Sequence, residues 1–226
     1  MAKDSKKKKK DEQKATTVLF IRHGENEWTK SQKLAGRTQG VRLNKQGRKQ
    51  AKALGERLAS VKLDAIYASP LERTMETAEA IAKHHNLKVQ ERPGLLEVDY
   101  GSWTGEAISK LSKEKSWQQI QFYPSGASFP GGETMYQMQT RFVQEINNLV
   151  INHPGQTIAV VGHADLIKAA IAHYLGVHLD LFQRIVISTA SITTVSFTFI
   201  APRVIAVNDT SHNPPPPQKK EKKKDK

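Results

Sequence analysis

The stretch TTVLFIRHGENEW, residues 16–28, runs from apolar residues directly into an arginine and a histidine. Four consecutive apolar residues, Val18, Leu19, Phe20 and Ile21, have polar flanks, and this pattern predicts a buried strand over residues 18–22. Arg22 and His23 should therefore lie side by side at the carboxyl end of that strand. The ends of the other predicted strands indicate why a hydrophobic strand ends in an arginine and a histidine.

Two further apolar runs end in polar residues in the same manner. TIAVVGH, residues 157–163, predicts a strand that leads into His163, and DAIYASP, residues 64–70, predicts a strand that stops at Pro70. A helix predicted over residues 71–85 places Arg73 in its first turn. The remaining apolar spacing predicts further elements at residues 47–60, 133–151 and 165–175 (helices) and at residues 87–90, 191–200 and 203–207 (strands).

The alternation of strands and helices indicates the fold class. It predicts an α/β fold, a three-layer α/β/α sandwich with a mainly parallel sheet, in which the last two strands form an antiparallel hairpin. Residues 93–132 are rich in glycine and proline and predict an irregular excursion with one or two short helices. Ligands of such sheets bind at the carboxyl ends of the strands, so Arg22, His23, Arg73 and His163 should meet there.

The ends of the chain differ in composition from its middle. Residues 3–14 carry seven Lys and three acidic residues, and residues 213–226 carry six Lys and two, so the ends hold +8 of the formal net charge of +13. Such runs cannot bury apolar surface. We predict a disordered basic tail over residues 1–15, a single domain over 16–208, and a disordered Pro/Lys-rich tail over 209–226. The tails serve solubility or, alternatively, a loose, salt-dependent attraction to nucleic acid, ribosomes or anionic lipid.

Composition also excludes several classes of function. The chain has no cysteine, which excludes disulfides, thiolate catalysis and Cys-ligated metal sites. No aromatic residues interleave with the lysine runs, so specific nucleic-acid binding is not indicated. No apolar run reaches the length of a membrane span, so we expect no membrane insertion and a cytoplasmic protein. A homodimer through the late hairpin edge is a further expectation.

Two arginines and two histidines at one edge of the sheet favour the binding of a tetrahedral oxyanion. Guanidinium groups match such anions with paired hydrogen bonds, and an imidazole beside them either binds the anion or attacks phosphorus. An acid must then protonate the departing oxygen. Glu97 and Asp99, in the segment LLEVDYGSWTG at residues 95–105, both offer a carboxyl group for this role.

Six segments together carry a resemblance to a known family. FIRHGENEW, GVRLNKQGRKQA, IYASPLERTMETA, LLEVDYGSWTG, FPGGET and VVGHAD occur in an order that closely resembles the histidine phosphatase superfamily, also called phosphoglycerate mutase-like. The resemblance covers roughly residues 16–200. It implies the phosphoglycerate mutase-like fold and a phosphatase or phosphomutase that works without a metal or other cofactor on a small phosphorylated metabolite.

The resemblance also implies residue roles. His23 would attack phosphorus and become phosphohistidine, and Glu97, preferred over Asp99, would be the general acid and then the base for water. The implied substrate-binding residues are Arg22, Arg73, His163, Asn26 and Thr29. Many relatives carry asparagine at the position of Thr29, so phosphate binding or substrate preference should differ there. Hydrolysis of a small phosphomonoester is the favoured function, with a phosphomutase or a non-catalytic phospho-ligand module as the alternatives.

Overall fold

The computed structural model describes residues 15–213, in which six strands form one sheet in the order β3-β2-β4-β1-β5-β6. The strands are β1 (Thr16–Arg22), β2 (Ala65–Ala68), β3 (Val89–Glu91), β4 (Thr157–Gly162), β5 (Ile192–Phe197) and β6 (Pro202–Asp209). The helices are α1 (Glu27–Lys30), α2 (Lys45–Leu58), α3 (Glu72–Ala82), α4 (Ile108–Leu111), α5 (Lys115–Phe122), α6 (Met135–Asn152) and α7 (Ala164–Leu175).

The sheet is mainly parallel, as the sequence predicts. β1, β4, β2 and β3 pair in parallel, whereas β5 and β6 form the expected antiparallel hairpin at one edge. The register aligns Arg22 of β1 with Gly162 of β4. Because the two strands end level with each other, His23 and His163 leave the sheet at neighbouring points.

Alternate residues of β1 face two separate apolar clusters. Val18 and Phe20 pack into a cluster with α6 and α7, whereas Leu19 and Ile21 pack into a second cluster with α2 and α3. Successive side chains of a strand point to opposite faces, so one buried strand serves both clusters. Helices therefore cover both faces of the sheet, which confirms the three-layer α/β/α fold.

The excursion over residues 93–132 has the two short helices that the sequence predicts. It contains α4, α5 and three short 3₁₀ turns, and it contributes Leu95, Trp103 and Phe129 to the cluster on the α6 and α7 face. Trp103 packs between Trp117 and Phe129, with ring centroids 5.8 and 5.6 Å away. Burial of these aromatic groups explains how so many glycines can remain in a fixed conformation.

Several element ends differ from the predicted ones. α2 begins at Lys45 rather than at residue 47, because the side chain of Asn44 accepts a hydrogen bond from the Gly47 N–H and caps the helix. β5 ends at Phe197, three residues earlier than predicted, and β6 extends to Asp209.

Residues 209–213, which we assigned to the C-terminal tail, contact the domain. His212 lies with Nε2 2.9 Å from the Ala190 carbonyl oxygen, and the Ser211 N–H donates to Asp209 Oδ1. The rest of both predicted tails, residues 1–14 and 214–226, lies outside the described residues. Over residues 15–213 no helix is long and apolar enough to cross a membrane. The cytoplasmic location and the homodimer stay predictions.

Candidate active site

The turn after β1 fixes the imidazole of His23. The His23 backbone N–H donates to the Gly162 carbonyl, and Nδ1 lies 2.7 Å from the Gly24 carbonyl oxygen. A carbonyl only accepts hydrogen bonds, so Nδ1 carries the proton and Nε2 keeps its lone pair. Burial, followed by the charges of Arg73 and Arg22, lowers the pKa of His23 well below its usual value. The ring is therefore neutral and available as a nucleophile.

Close backbone contacts hold this turn in place. A Cβ on Gly47, in the first turn of α2, would lie 1.9 Å from the carbonyl oxygen of Glu25. A Cβ on Gly24 would lie 2.6 Å from the carbonyl oxygen of Gly47. Only glycine fits at such distances, so these two positions let α2 support the segment that carries His23.

Two arginines, Arg73 buried and Arg22 half-buried, line the same cavity. Arg22 donates from Nη1 to the Ile187 carbonyl, and Arg73 donates from Nη2 to the Gly36 carbonyl, both at 2.8 Å. Within residues 15–213, Arg22 Nε and Arg73 Nε and Nη1 have no hydrogen-bond partner although they are buried. Burial lowers the pKa of both groups. Unpartnered guanidinium N–H groups are donors suited to an oxyanion.

His163 connects Arg73 to a carboxyl group. Its Nε2 lies 3.0 Å from Ser69 Oγ, and its Nδ1 lies 3.4 Å from both Arg73 Nη2 and Glu97 Oε2. The rings of His163 and His23 are 5.3 Å apart between centroids. Burial and the charge of Arg73 lower the pKa of His163 well below its usual value.

Glu97 is buried and Asp99 is not. Glu97 Oε1 accepts from the Val98 N–H at 2.9 Å, and burial, together with the charge of Asp165, raises the pKa of Glu97 to about 7 although Arg73 opposes the shift. Asp99 instead pairs with Arg37 at 3.5 Å, and its side chain is 45% exposed. A carboxyl group poised near neutral pH can both give and take a proton, so the structure favours Glu97 over Asp99 for acid and base chemistry.

Asn26 and Thr29 also line the cavity, at the N-terminal end of α1. Asn26 Oδ1 caps α1 by accepting a hydrogen bond from the Thr29 N–H at 2.8 Å. The same oxygen accepts from the Thr29 hydroxyl, Oγ1, at 3.2 Å. The Asn26 Nδ2 group is buried without a partner among the described residues. It adds one more donor to those of Arg22 and Arg73.

A cavity of about 230 Å³ collects these groups. It is lined by six of the seven predicted site residues, namely Arg22, His23, Asn26, Thr29, Arg73 and Glu97. His163 is fully buried and does not line the cavity, but it contacts Arg73 and Glu97, which do. A larger groove of about 580 Å³ lies between α2 and α3, but three carboxylates and three cations line it together, so it does not select an anion.

Three of the lining residues that the sequence did not predict form a hydrogen-bonded group. Tyr100 donates from its hydroxyl to Asp165 Oδ2, and Lys168 donates from Nζ to Asp165 Oδ1, each at 3.2 Å. Burial raises the pKa of Tyr100 well above its usual value. Their positions in the sequence could have indicated them, because each lies within three residues of a segment or residue already assigned to the site. Asp165 ends the VVGHAD segment, Lys168 follows it by three residues in α7, and Tyr100 follows Glu97 by three residues.

A family model for the histidine phosphatase superfamily, branch 1, matches residues 18–210. The chain belongs to the histidine phosphatase superfamily. Phosphoserine phosphatase 1 of Hydrogenobacter thermophilus is 31% identical over 203 residues, which span 86% of this chain and 93% of the relative. The probable phosphoglycerate mutase GpmB of Proteus mirabilis is 28% identical over 183 residues, with 80% and 84% of the two chains covered.

A solved structure has the same fold. The phosphoserine phosphatase of Entamoeba histolytica, in complex with 3-phosphoglyceric acid, superimposes with a TM-score of 0.80 at 26% identity. The match covers 87% of this chain and 98% of that one. These findings confirm the predicted family and its phosphoglycerate mutase-like fold. As a histidine phosphatase, the chain is an enzyme that hydrolyses small phosphomonoesters, with mutase activity as the alternative.

Metal ligands do not gather in the described part of the chain. Between residues 15 and 213 no group of three or more His, Cys, Asp or Glu side chains is arranged to hold a metal ion. The cationic side chains that line the cavity are those of Arg22, Lys33, Arg73 and Lys168.

Proposed function

We propose that the enzyme hydrolyses a small phosphomonoester through a phosphohistidine on His23. The observation that carries the proposal is the lone pair on His23 Nε2, placed in a cavity with unpartnered arginine donors and a carboxyl group poised near pH 7. In the first step Nε2 forms a bond to phosphorus while the bond from phosphorus to the ester oxygen breaks. Glu97 gives its proton to the departing oxygen, which leaves as an alcohol.

The second step returns the enzyme to its starting state. Glu97, now ionised, takes a proton from a water molecule, whose oxygen attacks phosphorus. The bond from phosphorus to Nε2 breaks and inorganic phosphate leaves. Arg22 and Arg73 stabilise the charge on the transferring group in both steps, with Asn26 as a further partner and Thr29 beside it, while His163 acts through its contacts with Arg73 and Glu97. Phosphoryl transfer depends mainly on such positioning and charge stabilisation.

The chemistry of the ligand follows from the same groups. Donors of Arg22, Arg73 and Asn26 suit the phosphoryl oxygens, and a cavity of about 230 Å³ suits a metabolite of small size. The names of the relatives include phosphoserine and phosphoglycerate, which supports a small phosphorylated metabolite as the ligand.

The test measures both turnover and the intermediate. Wild-type protein should release p-nitrophenol from p-nitrophenyl phosphate in the presence of a chelator, and His23→Ala should lower kcat/KM by about 1,000-fold or more. Rapid quenching with a ³²P-labelled ester should trap an acid-labile, alkali-stable phosphoenzyme that is absent from His23→Ala. His84→Ala is the matched control, because His84 is an exposed histidine two residues beyond the end of α3 and does not line the cavity. Equal labelling of wild type and His23→Ala would refute the proposal.

Mutase activity has a separate signature. With 3-phosphoglycerate as substrate, a phosphatase releases inorganic phosphate, whereas a mutase forms 2-phosphoglycerate. We expect phosphate release to dominate.

A further inference from the structure

A second cavity of about 210 Å³ adjoins the catalytic cavity, and we call it the annex. Five residues line both spaces, namely Leu34, Tyr100, Ile108, Asp165 and Lys168. The far wall of the annex is largely apolar and includes Trp117, Ile120, Phe129, Met135 and Phe182. A ligand with its phosphoryl group at His23 can therefore extend past Lys168 into an apolar space.

Lys168 stands at the boundary with one donor unused. Its Nζ donates to Asp165 Oδ1 at 3.2 Å and to Gln183 Oε1 at 3.0 Å, and it lies 5.8 Å from the centre of the Phe182 ring. The side chain is 17% exposed. An ammonium group has three N–H bonds, so one remains for an acceptor on a ligand.

Asp165 makes this boundary unfavourable for a second anion. Its carboxylate pairs with Lys168 and accepts from Tyr100, so it already balances the lysine charge. A carboxylate on the leaving group would meet Asp165 as well as Lys168 and would gain little net attraction. A neutral leaving group with a hydrogen-bond acceptor meets no such opposition, and a ring beyond the acceptor would remove apolar surface from water in the annex.

We propose that the annex binds the leaving group, and that the preferred substrates are phosphomonoesters of neutral alcohols that carry an apolar ring. Lys168 donates to an acceptor between the phosphoryl group and the ring. The proposal rests on the proposed function, because it places the phosphoryl group at His23. It also separates this enzyme from relatives that are named for phosphoserine and phosphoglycerate, whose leaving groups carry a carboxylate and no ring.

The first experiment compares alkyl esters, whose leaving groups are similarly basic. We expect kcat/KM for benzyl phosphate to exceed that for glycerol 3-phosphate and for phosphoserine by about tenfold or more. Gln121→Trp should fill the annex, since Gln121 lines it from α5, and should abolish the preference while glycerol 3-phosphate is still hydrolysed. Gln118→Trp places the same side chain on the exposed face of α5 and should leave the preference intact.

The second experiment tests Lys168 with a matched pair of substrates. 2-Phenoxyethyl phosphate has an ether oxygen where 3-phenylpropyl phosphate has a methylene group. We expect the ether to be preferred by about threefold or more, and Lys168→Met, which keeps an unbranched stem without the donor, to remove that preference. An equal preference in Lys168→Met and wild type would overturn the role of Lys168.

A binding measurement separates this inference from the proposed function. Benzylphosphonate and methylphosphonate cannot be hydrolysed, and calorimetry should show about tenfold tighter binding of the benzyl compound to wild type but not to Gln121→Trp. If that difference is present while no ester is turned over, the annex assignment holds and the proposed function fails. If esters are hydrolysed but neither the rates nor the phosphonates show a ring preference, the annex assignment fails alone.

Discussion

Replacement of Glu97 by glutamine should stabilise the protein, and the gain should grow with pH. Burial and the charge of Asp165 raise the pKa of Glu97 from 4.5 to about 7. A carboxyl group with a raised pKa in the folded state binds its proton more tightly folded than unfolded. Its contribution to stability is therefore fully present below the unfolded pKa and is lost as pH rises towards the folded pKa.

The size of the effect follows from the shift. Each unit of pKa difference corresponds to 1.36 kcal/mol, so the ionised carboxylate costs about 3 kcal/mol of unfolding free energy once pH exceeds the folded pKa. At about pH 5 most of that loss has not yet occurred, and it amounts to roughly 1 kcal/mol. Glutamine has the shape of the protonated acid and no charge at any pH. Glu97→Gln should therefore gain about 2 to 3 kcal/mol relative to wild type between about pH 5 and pH 8.

Urea unfolding, followed by circular dichroism at both pH values, measures this difference. Urea is preferred to guanidinium because it leaves ionic strength unchanged, and equal m-values for the two proteins would validate the comparison. Glu91→Gln removes an exposed carboxylate on β3 and should show little change with pH. A Glu97→Gln stability difference that is the same at both pH values would refute the reasoning, as would one that decreases.

Three further predictions concern activity and folding. Arg73→Lys keeps a positive charge but loses the planar donor set, so kcat/KM for p-nitrophenyl phosphate should fall by about 100-fold, and a loss of less than threefold would contradict the role assigned to Arg73. For an alkyl ester, kcat/KM should decline as pH rises, with a midpoint near the pKa of about 7 for Glu97. The decline should be smaller with p-nitrophenyl phosphate, because its leaving group needs no proton. Gly47→Ala would bring a Cβ to 1.9 Å from the Glu25 carbonyl oxygen and should cost about 2 kcal/mol or more in urea unfolding, whereas Gly162→Ala, with open space around its Cβ, should cost less.

The sequence was sufficient to predict the sheet edge because strand ends are local signals. An apolar run that stops at a polar residue marks both the strand and its carboxyl end, and this occurs at Arg22, where β1 ends, and at His163, directly after β4. In adjacent parallel strands the carboxyl ends lie at the same edge of the sheet, and His23 and His163 are therefore close to each other. Arg73 follows in the same way, because a helix must begin where β2 ends.

The choice between Glu97 and Asp99 depended on the resemblance, because composition does not specify burial. Both carboxyl groups belong to one short glycine-rich segment. Their environments differ because Arg37 reaches Asp99 from another part of the chain, whereas Glu97 is enclosed with His163. Lys168, Asp165 and Tyr100 escaped prediction for a similar reason, since their significance lies in contacts between α7 and the excursion.

Burial of Glu97 among fixed charges explains why it can serve as both acid and base. Arg22 and Arg73 are held by backbone carbonyls before any ligand arrives, so their donors need no rearrangement when phosphate binds. A doubly charged phosphoryl group beside Glu97 disfavours a second negative charge, and this keeps the carboxyl group protonated at neutral pH, as the first step requires. When the alcohol departs with that proton, the carboxylate remains in a buried environment that favours its return to the acid form. The same burial that destabilises ionised Glu97 in the folded protein therefore makes it a base for water in the second step.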